Sequence, residues 1–220
     1  MSVPSTSDAR ELAGRYTKLA GIYDAWTWLT ESKSLDAALQ RAAIRDGEAV
    51  LEVAVGTGLL FREILRRNRT GHNAGVDITE AMLLRARRKA ASVGAPFELT
   101  VQDARALSFA NATFDLVVNN NMLGLLPERD VAPILSEMLR VLRPGGRLLV
   151  VTMMRPGRRL PELVYRIGAV WLGGWHDVSV EPLVAAAGFE VMHTEIVTQL
   201  GIPSQVLSAR RPMSERDAMP

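Results

Sequence analysis

Cysteine is absent from this 220-residue chain, which excludes disulfides, thiolate metal ligation and a cysteine nucleophile. Histidine is nearly absent too. His72, His176 and His193 are scattered and lack the i, i+4 spacing of a helical ligand pair, so no metal centre is expected. No apolar run approaches the roughly 20 residues that cross a bilayer. The N-terminus is rich in Ser, Thr and Asp and carries no basic-then-apolar export signal, so a cytoplasmic protein is expected. A net charge of +2 is too small to argue for nucleic acid. What remains is an ordinary globular composition, 48% hydrophobic and 23% charged, on a chain long enough for one substantial core.

The most informative stretch runs from Ala49 to Leu60. It opens as a nearly continuous apolar run, which a strand buried on both faces of a parallel sheet requires. It breaks at Gly56 and Gly58 and re-enters helical periodicity through Leu59, Leu60, Phe61, Ile64 and Leu65. Strand, glycine turn and helix open a nucleotide-binding α/β unit, in which backbone approaches the ligand closely and the helix N-terminus faces it.

Taken in order, residues 1–8 and 212–220 read as flexible ends of a domain spanning 9–211. Helical spacing over Leu12, Tyr16, Leu19, Ile22, Tyr23, Trp26 and Leu29 predicts two helices up to about Thr30, and Leu35 to Ile44 a third. Together they form a helical cap over about 9–45. Five strands alternate with helices from Ala49 to Met153: the second ends at Asp77-Ile78, the third runs into Gln102-Asp103-Ala104, and the fourth, Phe114–Val118, runs into Asn119-Asn120-Asn121. Thr79 is placed as the cap of the helix after the second strand. A helix near 180–187 and two final strands, near Phe189–Thr194 and Gln205–Ala209, follow; the strands pair as an antiparallel hairpin with a long loop. The expected fold is α/β: one doubly wound, Rossmann-like, seven-stranded sheet, mostly parallel, with an antiparallel last strand.

In such sheets the ligand lies outside the carboxyl ends of the strands, where strand order reverses. Asp77 follows Gly58 by 19 residues (77 − 58), close to the separation at which an acid accepts from the ribose hydroxyls of a nucleotide. Asp103 suits an exocyclic base amine, with the Ala104 N–H for a ring nitrogen. Glu52, inside the first strand, is costly to bury alone and reads as an organiser of the glycine loop or an acceptor for a ligand amine. Asn119 and Asn120 can donate and accept near an amino-acid tail. A dinucleotide site wants a third glycine where this chain has Phe61, which weakens a nicotinamide-dependent oxidoreductase reading.

Glu52-x-x-x-Gly56-x-Gly58, Asp77, Asp103-Ala104, Phe114–Val118 and Leu142-Arg143-Pro144-Gly145-Gly146 resemble the ordered motifs of class I S-adenosylmethionine (SAM)-dependent methyltransferases across about 45–153. Tyr16-x-x-x-Ala20-x-x-Tyr23-Asp24, Asp177–Leu183, Ala187-Gly188-Phe189 and Pro203-Ser204 resemble the ubiquinone/menaquinone-biosynthesis C-methyltransferase group. The chain departs from the group at Ala54, where glycine is usual, and at Asn119–Asn121, which replace a serine–phenylalanine–glycine–leucine–arginine stretch. The resemblance implies a SAM site lined by Glu52, Val53, Gly56, Thr57, Gly58, Asp77, Ile78, Asp103, Ala104, Asn119 and Asn120, with Met82 closing the adenine face or filling the core.

A sulfonium is already an activated methyl donor, so the protein has chiefly to align an acceptor and exclude water. An aromatic-carbon or hydroxyl acceptor also needs a base, for which His176, Tyr23, Tyr16 and Asp24 are the candidates. An apolar segment with flanking arginines over about 155–178 reads as a substrate lid. The expected partner is a small hydrophobic or lipid acceptor with peripheral membrane contact, and not nucleic acid, since no Asn/Asp-Pro-Pro-Tyr/Phe motif follows the fourth strand. The sequence carries no signal of oligomeric state. A non-catalytic SAM-binding protein of the same fold is the remaining alternative.

Overall fold

The computed structural model describes residues 29–155 and 179–213. The N-terminal helices expected before residue 29, nearly all of the lid segment and the chain from 214 onward lie outside the described residues. The described chain begins with helix α1 over 29–42. Where apolar spacing predicts a boundary between Thr30 and Leu35, the helix is continuous. Ser34 is accommodated because its hydroxyl donates back to the Glu31 carbonyl at 2.8 Å, leaving no polar group unsatisfied.

Seven strands form one sheet: β1 (Ala49–Val53), β2 (His72–Asp77), β3 (Glu98–Val101), β4 (Phe114–Asn120), β5 (Leu142–Met153), β6 (Glu190–Gln199) and β7 (Ile202–Arg210). Their order is β3-β2-β1-β4-β5-β7-β6. β1 to β5 pair in parallel, and β7 inserts antiparallel between β5 and β6. From β1 the chain moves outward to β2 and β3, then returns to lay β4 on the other flank of β1. The switch point is therefore between β1 and β4, as expected of a doubly wound sheet.

Both faces are covered. On one, Ala38, Leu39 and Ala42 of α1 with Leu60 and Ile64 of α2 (Leu59–Arg67) pack on Val50, Leu116, Val118, Leu149 and Val151. On the other, α4 (Glu128–Val141) and α5 (Val180–Ala186) pack on Leu51, Val53, Val117, Leu148 and Val150. These alternating sets explain why each strand reads as apolar throughout. A third cluster joins α2, α3 (Glu80–Ala91) and β3 through Phe61, Leu65, Leu83 and Leu99.

Three local expectations change. β4 runs two residues further than its apolar stretch, because Asn119 and Asn120 continue the ladder beside Val150 and Val151 of β5. β6 and β7 are joined by a tight turn rather than a long loop. Ile196, Val197 and Thr198 extend the strand, and Leu200 (φ 50) and Gly201 (φ 78) both adopt the positive φ that a type I′ hairpin needs. Thr79 is the residue before α3, but its hydroxyl makes no capping bond.

Candidate functional site

The carboxyl ends of β1 to β4 gather at the switch point. After β1 the chain turns through Ala54 (φ 64), Gly56 (φ 55) and Gly58 (φ 83) into α2. Gly58 is demanded twice over. Besides its φ, a Cβ there would lie 2.7 Å from Ala86 Cα, so α3 can approach the loop only with glycine at this position. At Gly56 a Cβ would meet nothing within 4 Å, which leaves the loop backbone facing open space. Lys89 of α3 donates to the Thr57 carbonyl at 3.0 Å and pins the loop from behind.

Asp77, at the end of β2, ties this loop to the next element. Its Oδ2 accepts from the Gly56 N–H and its Oδ1 from the Thr79 N–H, each at 2.8 Å. Asp77 thus holds both the loop and the residue before α3. The Thr79 hydroxyl also bonds the carboxylate, which leaves one lone pair for a further donor. Burial raises the Asp77 pKa, and the two amides and that hydroxyl work against the rise. Ile78 follows, 52% exposed. Met82 is buried in the first turns of α3.

Glu52 is 1% exposed, and its Oε2 has no hydrogen-bond partner. Burial first, and the Asp77 charge second, push its pKa well above the usual carboxylate range. Val53 contributes through its backbone only: its side chain is in the core, while its carbonyl accepts from Asn119 Nδ2 at 2.9 Å. Asn119 Oδ1 and Asn120 Oδ1 are buried without partners. Asp103, after β3, is half-exposed and chelated by Arg105, whose Nη2 lies 2.7 Å from Oδ2 and whose backbone N–H lies 2.9 Å from Oδ1. Those bonds hold its carboxyl below the ordinary value. Ala104 beside it packs against the core.

Phe61, in place of a dinucleotide site's third glycine, is fully buried. The close approach has moved to β2, where a Cβ on Gly75 would lie 2.5 Å from Leu99 Cδ2 and 3.2 Å from Phe61 Cε2. Gly75 was missed because a lone glycine in a short strand carries little signal.

A family model described as a methyltransferase domain matches residues 50–146, the span from β1 into β5. The chain is 35% identical over 151 residues to a phosphatidylethanolamine N-methyltransferase of Cereibacter sphaeroides, covering 66% of this chain and 72% of that protein. The chain belongs to the SAM-dependent methyltransferase family. The methyltransferase is also 33% identical over 159 residues to a ubiquinone/menaquinone biosynthesis C-methyltransferase of Roseobacter denitrificans, covering 68% of this chain but only 62% of that relative's length. A SAM-dependent methyltransferase structure from Methanosarcina mazei superposes with a TM-score of 0.65 at 21% identity, covering 80% of this chain and 98% of that one, and shares the fold.

The residues present fit SAM. The unpartnered oxygens of Glu52 and Asn119 are hydrogen-bond acceptors, and the cofactor carries amine and hydroxyl donors. The open space at Gly56 is the cradle that a side chain would fill. Two carboxylic groups at this edge were not singled out together. Glu52 was; Glu31, on α1 and 2% exposed, was not. Asn121, at φ 59, links Glu31 to the sheet: its Nδ2 donates to Glu31 Oε2 at 2.6 Å, and its Oδ1 accepts from the Met153 N–H at 2.8 Å. Of the proposed bases, Tyr16, Tyr23, Asp24 and His176 all lie outside the described residues.

Proposed function

We propose that this methyltransferase moves a methyl group from SAM to a small, hydrophobic or lipid-borne acceptor. The observation that carries the reading is the tie between Asp77 and the glycine loop, set beside the unpartnered Glu52 carboxyl at the switch point. In this reading Asp77 accepts from the ribose through its spare lone pair, Gly56 and Gly58 give the backbone its close approach, and Glu52 with Asn119 meets the amino-acid end. Ile78 supplies an apolar wall, and the Asp103–Ala104 pair borders the base. SAM supplies an electrophilic methyl when bound. The chain's own share is to bind it, orient the acceptor behind it and exclude water.

The relatives named above include a quinone C-methyltransferase and a phospholipid N-methyltransferase, which supports a greasy acceptor presented at or near a membrane surface. Among the described residues no helix is long and apolar enough to cross a membrane. The test is calorimetric titration of the purified chain with SAM and with NAD, followed by transfer of labelled methyl from SAM to membrane extracts. Binding of SAM and labelling of an extractable lipid are expected. Binding of NAD instead would refute the reading, and SAM binding without any labelled product would leave a non-catalytic binding protein.

A further inference from the structure

The edge that carries the site is used unevenly. The ends of β1, β2 and β3 bring the glycine loop, Asp77 and Asp103, all assigned above to SAM. Asn119 of β4 is assigned there too, but its neighbours at the ends of β4 and β5 form a different set. Along β4, Leu116 and Val118 point to the face covered by α1. By the two-residue alternation of a strand, Asn120 continues that row toward the same helix. There it meets Glu31.

Glu31 is buried, and among the described residues two asparagine amides, and no cation, meet it. Asn121 holds one carboxyl oxygen from a left-handed backbone conformation, which asparagine tolerates better than most residues. Asn120 turns its amide nitrogen to the carboxyl, which leaves its own Oδ1 buried without a donor. Among the described residues, the group therefore presents oxygen acceptors and no positive partner meets it. A buried carboxyl is expensive without one.

We propose that Glu31, with Asn120 and Asn121, receives the amino group of the methyl acceptor at the ends of β4 and β5, so that this chain methylates nitrogen. The proposal rests on the methyltransferase reading above. An amine suits the group because it brings several N–H donors and carries charge that the carboxylate can balance. As the cation beside it, the bound ammonium holds Glu31 ionised. It first gives one proton to that carboxylate, which passes it to solvent and frees the nitrogen lone pair. The N–C bond then forms from that pair, and the S–C bond breaks with its pair left on sulfur.

The experiment uses the full chain and three variants, Glu31→Gln, Glu31→Asp and Asn121→Ala. SAM affinity is measured first by calorimetry, without any acceptor; loss of SAM binding by the wild type would refute the methyltransferase reading itself. Labelled methyl transfer is then followed to vesicles containing phosphatidylethanolamine, to phosphoethanolamine in solution, and to vesicles containing a demethylated menaquinol. The expected result is labelling of an amine, with the vesicle and solution arms telling a lipid head group from a free one. Glu31→Gln should keep SAM affinity and lose about 100-fold in turnover, the usual worth of a positioned proton acceptor. Glu31→Asp should recover part of that loss, which a merely structural role would not give. A chain that binds SAM yet labels only the menaquinol, or no amine at all, overturns the proposal. So does a Glu31→Gln variant that transfers as fast as wild type or that loses SAM affinity.

Discussion

Replacing Glu31 with glutamine should stabilise the free protein, and by an amount that grows with pH. The side chain is buried among neutral amides, and burial pushes its pKa up to about 8 from an ordinary 4.5, with the asparagine bonds only partly opposing the rise. Below the ordinary value Glu31 is protonated in both folded and unfolded chains and contributes no pH dependence. As pH rises from there toward 8, the unfolded chain ionises while the folded one keeps its proton, so the wild type loses stability. Above 8 both are ionised and the loss levels off. At about 1.36 kcal/mol per unit, the loss accumulated by pH 7 is about 3 kcal/mol. Glutamine has the same shape, accepts from Asn121 through its carbonyl, and offers the unpartnered Asn120 Oδ1 a donor once that amide turns over. The assay is urea unfolding of both proteins at a series of pH values from about 4.5 to 8. The gap in favour of the variant should open steadily across that window. At neutral pH it should correspond to a rise in Tm of about 6–12 °C for a chain of this size. A gap that stays constant with pH, or a variant less stable than wild type at neutral pH, would refute the argument that Glu31 is an uncompensated buried acid.

The two loop glycines should respond differently to alanine. Gly58→Ala drives a Cβ into the Ala86 backbone and should cost stability, about 2 kcal/mol or more by calorimetry, whereas Gly56→Ala meets open space, should cost only the strain of a left-handed alanine, about 1 kcal/mol, and should weaken SAM binding in titration. Asp77→Asn cannot accept from both the Gly56 and Thr79 amides; loss of one charge-assisted bond and of ribose contacts should lower SAM affinity by about 100-fold, read by calorimetry. Ala54→Gly relieves a left-handed alanine, offset in part by the flexibility of glycine in the unfolded chain, and should raise Tm by about 1–2 °C in a thermal melt.

Much of this protein is legible along the chain because it follows from local rules. The continuous apolar run into Gly56 and Gly58 could only be a buried strand feeding a helix through a tight turn, and the four strand ends it predicts do lie side by side in the sheet. Asp77 was found by its distance along the chain from the glycines, and its place at the loop agrees. The length of β4 was not legible, because asparagines disfavour strands in isolation and only the β5 ladder holds Asn119 and Asn120 extended. The hairpin turn was misjudged for a related reason: Leu200 accepts a positive φ only because two long strands are already paired on either side.

Sequence alone determined the alternation of strand and helix, the glycine turn and the acid that follows the second strand, since each depends on residues close together in the chain. Only the tertiary structure decided which polar groups would be left without partners. Glu31 and Asn121 are 90 residues apart, and no spacing rule connects them. Their pairing exists because α1 packs across the face of β4, and burying a carboxyl there with no cation among the described residues is a cost that becomes visible only once the sheet has closed around it.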